Sequence, residues 1–150
     1  MDQGLSIAEV IRPVGLFELR VFRHGKLIER FEAKNLVVTG GKTLLSLLLG
    51  GTVSNNSVTK IGFGSNAVPP AAGDTALASQ FLKTLDSTTF PSAGEVLFGF
   101  SLGPSENNGA QISEFGLITA GGSLFARRVR ATALNKDASI SLTGSWRITF

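Results

Sequence analysis

Gly41-Lys42-Thr43 is the stretch that comes nearest to a chemical motif. It follows the apolar run Leu36-Val37-Val38 and precedes a leucine-rich segment, as a phosphate-binding loop between a strand and a helix would. Such a loop needs a second glycine five residues before Gly41, so that backbone N–H groups can wrap the phosphates. That position is Leu36, so the three residues read as an ordinary helix start and no nucleotide or other cofactor is expected. His24 is the sole histidine and lies beside Gly25 in a turn; alone it supplies neither a metal cage nor a triad. Glu114 stands between Ser113 and Phe115 on the same side of a strand as Ile112, which points a carboxylate inward. An inward carboxylate needs a partner, and Arg127 or Arg128 across a hairpin would serve, as a structural ion pair rather than an acid or base. Asp74, just before residues 75–81, reads as a helix cap. Arg127, Arg128 and Arg130 form a basic cluster on a strand with no aromatic platform interleaved, which favours solvent or an acidic neighbouring subunit over nucleic acid. No catalytic set, metal site or small-molecule substrate site assembles from these residues, so the chain reads as non-enzymatic.

The elements that would carry these residues are mostly strands. The 150 residues suit one domain, with 43% apolar and only 17% charged residues, too apolar for disorder and too poor in charge for a Glu/Lys-rich helical protein. Eighteen glycines and 11 phenylalanines, many in runs with Ser, Thr and Val, favour an all-β chain with many turns. Cysteine is absent, which removes disulfides and thiolate metal sites. The net charge of +3 permits an anionic partner without demanding one. Asp2 and Glu9 flank no long apolar run, so no signal peptide is expected. The leucines at 44–49 are too few for a membrane span, which needs roughly 20 residues.

The clearest strand is the last. Ile140, Leu142, Trp146, Ile148 and Phe150, with Gly144, share one face, while Ser139, Ser141, Thr143, Ser145, Arg147 and Thr149 share the other. Residues 1–13 show no period and end in Arg12-Pro13, which predicts an extended N-terminal arm ahead of a single domain over 14–150. Phe17, Leu19 and Val21 mark a strand, residues 23–26 a turn, and residues 27–31 its partner, with a break before 36–39. Thr39 is placed to cap a helix over the leucines at 44–49, which Gly50-Gly51 stops; leucines on several sides predict a helix buried over most of its surface. Strands are further expected over 60–64, most of 88–102, 112–119 and 123–130, with a turn or two of helix at 75–81. About seven or eight strands and one or two short helices make an all-β fold, a β-sandwich of jelly-roll type.

Several motifs stand in a familiar order. Asn35-Leu36-Val37 leads into the leucine-rich helix, and Ile61-Gly62-Phe63-Gly64 precedes a Pro/Ala segment and Asp74-Thr75-Ala76-Leu77. Ile112-Ser113-Glu114-Phe115-Gly116-Leu117 is followed by Gly122-Ser123-Leu124-Phe125-Ala126-Arg127, and the chain closes on Ser145-Trp146-Arg147-Ile148-Thr149-Phe150. Over residues 35–150 this resembles the small β-rich virion proteins of tailed bacteriophages, which include head decoration (cement) proteins and domains of tail fibres and baseplates. The resemblance implies a structural protein on the outer surface of the capsid that clamps neighbouring major capsid subunits. The alternative it implies is a tail fibre or baseplate module in host attachment that binds carbohydrate. The absence of shaft repeats and of tyrosine, with the one tryptophan in a core row, favours cement. The expected partners are the major capsid protein and copies of the chain itself, a trimer suiting three-fold lattice positions. Arg12 and Pro13 on the arm, with Arg20, Arg23 and Lys26 on the adjoining hairpin, are the expected contact residues for an acidic capsid surface.

Overall fold

The computed structural model describes residues 10–150, and the bulk of the expected arm, residues 1–9, lies outside them. The described chain runs β1 (Val14–Arg23), β2 (Lys26–Val37), α1 (Thr39–Leu49), β3 (Val58–Gly64), β4 (Phe81–Thr84), β5 (Ser87–Thr89), β6 (Glu95–Leu102), β7 (Gln111–Thr119), β8 (Leu124–Asn135) and β9 (Ile140–Thr149). All pairings are antiparallel, in the order β4-β3-β7-β8-β2-β1-β9-β6-β5. The fold is all-β, as the composition predicts. Four of its eight neighbour pairs (β4-β3, β7-β8, β2-β1 and β6-β5) join strands consecutive in sequence, and this order does not establish the finer jelly-roll wrapping.

The sheet curls at β2. Its residues 26–35 pair with β1, while Leu36 and Val37 pair instead with Arg127 and Ala126 of β8. The strands on either side of β2 are thereby turned face to face. Phe17 of β1 meets Phe115 of β7 at 4.8 Å between ring centroids, and Phe63 of β3 meets Phe100 of β6 at 6.3 Å. These aromatic pairs knit the two halves of the sheet into one core.

Strand β9 lies between β1 and β6 with Ile140, Leu142, Trp146 and Ile148 buried, which is the inward row that the period of two predicts. Gly144 stands in that row because the Phe100 ring fills its side-chain space; a Cβ there would overlap that ring and the Glu18 carbonyl oxygen. Trp146 donates its Nε1–H to Asn35 Oδ1 at 2.8 Å, so its polar edge is satisfied inside the core. Phe150 departs from the row: it falls beyond the strand's last residue and is half exposed.

The β1–β2 turn uses positive φ at both central residues, His24 (47°) and Gly25 (76°), the backbone that matches the twist of a two-residue hairpin. Strand β2 then runs unbroken for 12 residues, without the expected interruption. Helix α1 is real, but Val38 occupies its N-cap and no side chain caps it; Thr39 lies within the first turn. Only Gly41 and Leu44 are buried, so the expectation of a helix covered on most sides is wrong. Its Gly41 lies so close to the Phe125 backbone that one face seats on β8, and the leucines opposite are left outside. No helix forms at residues 75–81; that segment is irregular until Phe81 starts β4. The expected long strand over 88–102 is split into β5 and β6 by a segment carrying Pro91 and a positive-φ Gly94.

Candidate functional site

Glu114 of β7 does find Arg127 of β8, with Arg127 Nε donating to Glu114 Oε2 at 2.6 Å and both side chains buried, 0% and 1% exposed. It does so on the opposite face of β7 from Ile112, Phe115 and Leu117, because a register shift between Ile112 and Glu114 breaks the expected alternation and turns the carboxylate towards the loop at residues 65–80. The other Glu114 oxygen accepts the backbone N–H groups of Asn66 (3.0 Å) and Ala78 (2.7 Å). The rest of the guanidinium donates to Asp74 Oδ2 (2.9 Å) and to the carbonyls of Asn66 (3.1 Å) and Val68 (3.0 Å). Asp74 is therefore a partner of Arg127, not a helix cap. Its pKa is held below the ordinary 3.8, chiefly by the N–H of Ala71 and further by Arg127. Donors and acceptors are matched throughout, and the network fastens the Pro/Ala loop, residues 65–80, to the sheet. It has the construction of a lock.

A second polar lock escapes sequence reasoning. Lys136, in the turn before β9, is 2% exposed, and its Nζ donates to Asn108 Oδ1 (2.7 Å) and the carbonyls of Asp137 (3.0 Å) and Pro104 (3.3 Å). Burial pushes its pKa down. Only the fold of residues 103–109 brings these oxygens together, and no spacing in the sequence announces it. Arg128 and Arg130 are also engaged within the chain. Both lie over the Phe31 ring of β2, at 5.3 and 5.8 Å, and Arg130 pairs with Glu29 at 3.0 Å. Their aromatic partner thus comes from across the seam between β2 and β8.

The expected contact residues fall into two groups. Arg23 and Lys26 pair across the tip of the β1–β2 hairpin, and Arg20 lies on the same strand, three residues back, on the exposed face. Arg12 and Pro13 precede the other end of β1, about 30 Å away at the rise of a β-strand. Among the described residues no group of three or more His, Asp or Glu side chains is placed to hold a metal ion.

At the Arg12 end the surface is apolar and concave. A cleft of about 550 Å³ opens between the two halves of the sheet, walled by Leu45 and Leu48 of α1, Val58 of β3, Val96 and Phe98 of β6, and Phe125 of β8. A second groove of about 870 Å³ runs alongside it, lined by Val10, Ile11, Leu36 and Leu49, and shares Leu45 and Phe150 with the first. Around them protrude Leu49, 92% exposed, and Phe90, 76% exposed. Glu95 borders the first cleft, kept ionised by the Ser92 hydroxyl and by Arg147; Arg12 and Lys42 border the second. The Gly41-Lys42-Thr43 stretch thus contributes to a groove wall, where Gly41 packs on β8 and Lys42 is exposed. Sequence reasoning missed this end because a period of two places Phe150 in the core row and cannot show that the strand stops one residue earlier.

No protein family, curated protein or solved structure matches this chain.

Proposed function

We propose that the chain is a non-enzymatic virion structural protein of a tailed bacteriophage, a decoration protein that sits on the outer surface of the capsid and clamps neighbouring major capsid subunits. The motif order over residues 35–150 motivates the phage assignment. The observation that supports a contact role is the separation of two unlike surfaces on one rigid sheet. The basic hairpin tip with Arg20, Arg23 and Lys26 is at one end, and the apolar grooves with Arg12 and Pro13 are at the other. The buried charges between them are consumed in holding loops. In this reading the basic tip meets an acidic capsid surface and the apolar end, with the arm, meets protein, copies of the chain in a trimer included.

Co-sedimentation with purified capsids tests this. The full chain should bind to saturation in a fixed ratio to capsid subunits, while a chain lacking residues 1–13 should stay folded and fail to bind. Reversing Arg20, Arg23 and Lys26 to Glu should weaken binding most at low salt, where exposed charges are least screened. Equal binding by the truncated chain would remove the arm from the reading. Binding to tails and not to capsids would replace decoration by the tail fibre or baseplate role.

A further inference from the structure

The apolar end is both knob and hole. Leu49, the last residue of α1, stands almost fully in solvent beside the second groove, and Phe90 projects at the lip of the first cleft. A single exposed leucine is ordinary on a protein surface. Here Leu49 continues through Val10, Ile11 and Phe150 into two apolar grooves that share a wall, and joined apolar surface of this kind marks a binding face.

We propose that this end is where one copy of the chain seats on another, with Leu49 of one copy entering the cleft between the sheet halves of the next. The inference rests on the homo-oligomer part of the reading above and is independent of the capsid. Three observations choose a second copy as the occupant. Protruding and concave apolar features occur on the same end, which makes that surface complementary to itself, the condition for association into a closed ring or pair. The rims differ in charge: Arg12 and Lys42 flank the groove beside Leu49, whereas the cleft presents Glu95, whose charge is shared, among the described residues, only with Arg147 at 3.4 Å. Seating the one over the other brings cations to a carboxylate. The cleft also lacks the convergent polar groups that orient a small ligand, since Glu95 is the one charged side chain among its lining residues.

The chain has no cysteine, so single-cysteine variants report on contact cleanly. Leu49→Cys is mixed with Thr88→Cys, Thr88 being an exposed residue of the cleft lining, and the mixture is oxidised. A disulfide-linked pair of the two variants should form in preference to a pair of Leu49→Cys with Thr143→Cys, which sits on the outer face of β9. In sedimentation, the parent chain should be an oligomer and Leu49→Lys a single chain. Its dissociation constant should rise about 30-fold or more, the effect of losing a central anchor, because the lysine would have to leave water. Leu49 contributes almost nothing to the core, so the circular dichroism of the variant should match the parent. A parent that sediments as a single chain, or a Leu49→Lys variant that keeps the parent's mass, overturns the inference. So does an extractable apolar small molecule found filling the cleft. Association without capsid binding would leave this inference standing and defeat the decoration reading; capsid binding by a single chain would do the reverse.

Discussion

Arg127 has the most to lose from substitution of any side chain in the polar network. It makes four hydrogen bonds to three parts of the chain, and its departure would strand the fully buried Glu114. Arg127→Met should therefore cost roughly 3–5 kcal/mol in urea denaturation, the range for breaking a buried pair, and adding Glu114→Leu should recover part of it. A loss of about 1 kcal/mol or less, the worth of a surface pair, would contradict the lock. Acid acts on this network through Asp74, and on the loop at residues 103–109 through Glu106. Asp74 has a folded pKa below 3.8, as Glu106 has below 4.5, the latter through the Gly103 N–H and then Lys83. A depressed carboxylate stabilises the fold above its unfolded pKa and stops doing so as pH falls through its folded value. Thermal stability should accordingly decline once the pH drops below about 4.5 and keep declining beneath 3.8, with a shallower slope in Asp74→Asn. The pairing of Glu114 with Arg127 was legible because a carboxylate in an apolar strand needs a cation and the next strand of the hairpin supplied one, diagonally, at the position opposite Gly116. The face was not legible: a register shift after Ile112 turns Glu114 away from the main core and towards the 65–80 loop. The part played by Asp74 was not legible, because the path of an irregular loop decides it. The residues before Phe81 looked like a helix start for want of any signal that the cap's carboxylate was claimed by an arginine 53 positions away.

At the scale of elements, β9 is where sequence and structure agree best. Its alternation alone fixes which side chains enter the core, and its place between β1 and β6 makes Trp146 the centre of that core. Trp146→Ala should cost roughly 3–5 kcal/mol, the usual range for deleting a large buried aromatic. The native tryptophan fluorescence should be blue-shifted; a red-shifted emission would place the strand's inner row in water. Helix α1 shows the opposite case. Its leucines announce a helix but not how many faces are covered, because burial depends on what packs there, and among the described residues β8 is the main support. Gly41 makes that packing close, and a Cβ there would overlap the Phe125 carbonyl oxygen. Gly41→Ala should lift α1 from β8 and destabilise the fold although alanine favours helices, and a gain in stability in that variant would show the helix free to move. Strand β4 and the split between β5 and β6 left no comparable pattern, since strands of four and three residues are too short for alternation to be read.

At the scale of the whole molecule, one curled sheet holds a basic hairpin tip and an apolar end apart. The strand content was legible in composition, whereas the curl at β2 was not. It arises because Leu36 and Val37 change partners from β1 to β8, a choice that no local pattern records. The apolar end follows from that curl, since the cleft is the gap left between the facing halves. If these two ends make the chain a decoration protein, as we propose, electron cryo-microscopy of capsids incubated with the purified chain will show it in place. Density for a trimer is expected at three-fold positions on the outer capsid surface, with the β1–β2 tip towards the shell and Leu49 at the contact between copies. Bare capsids under saturating protein, or density confined to the tail, would contradict it.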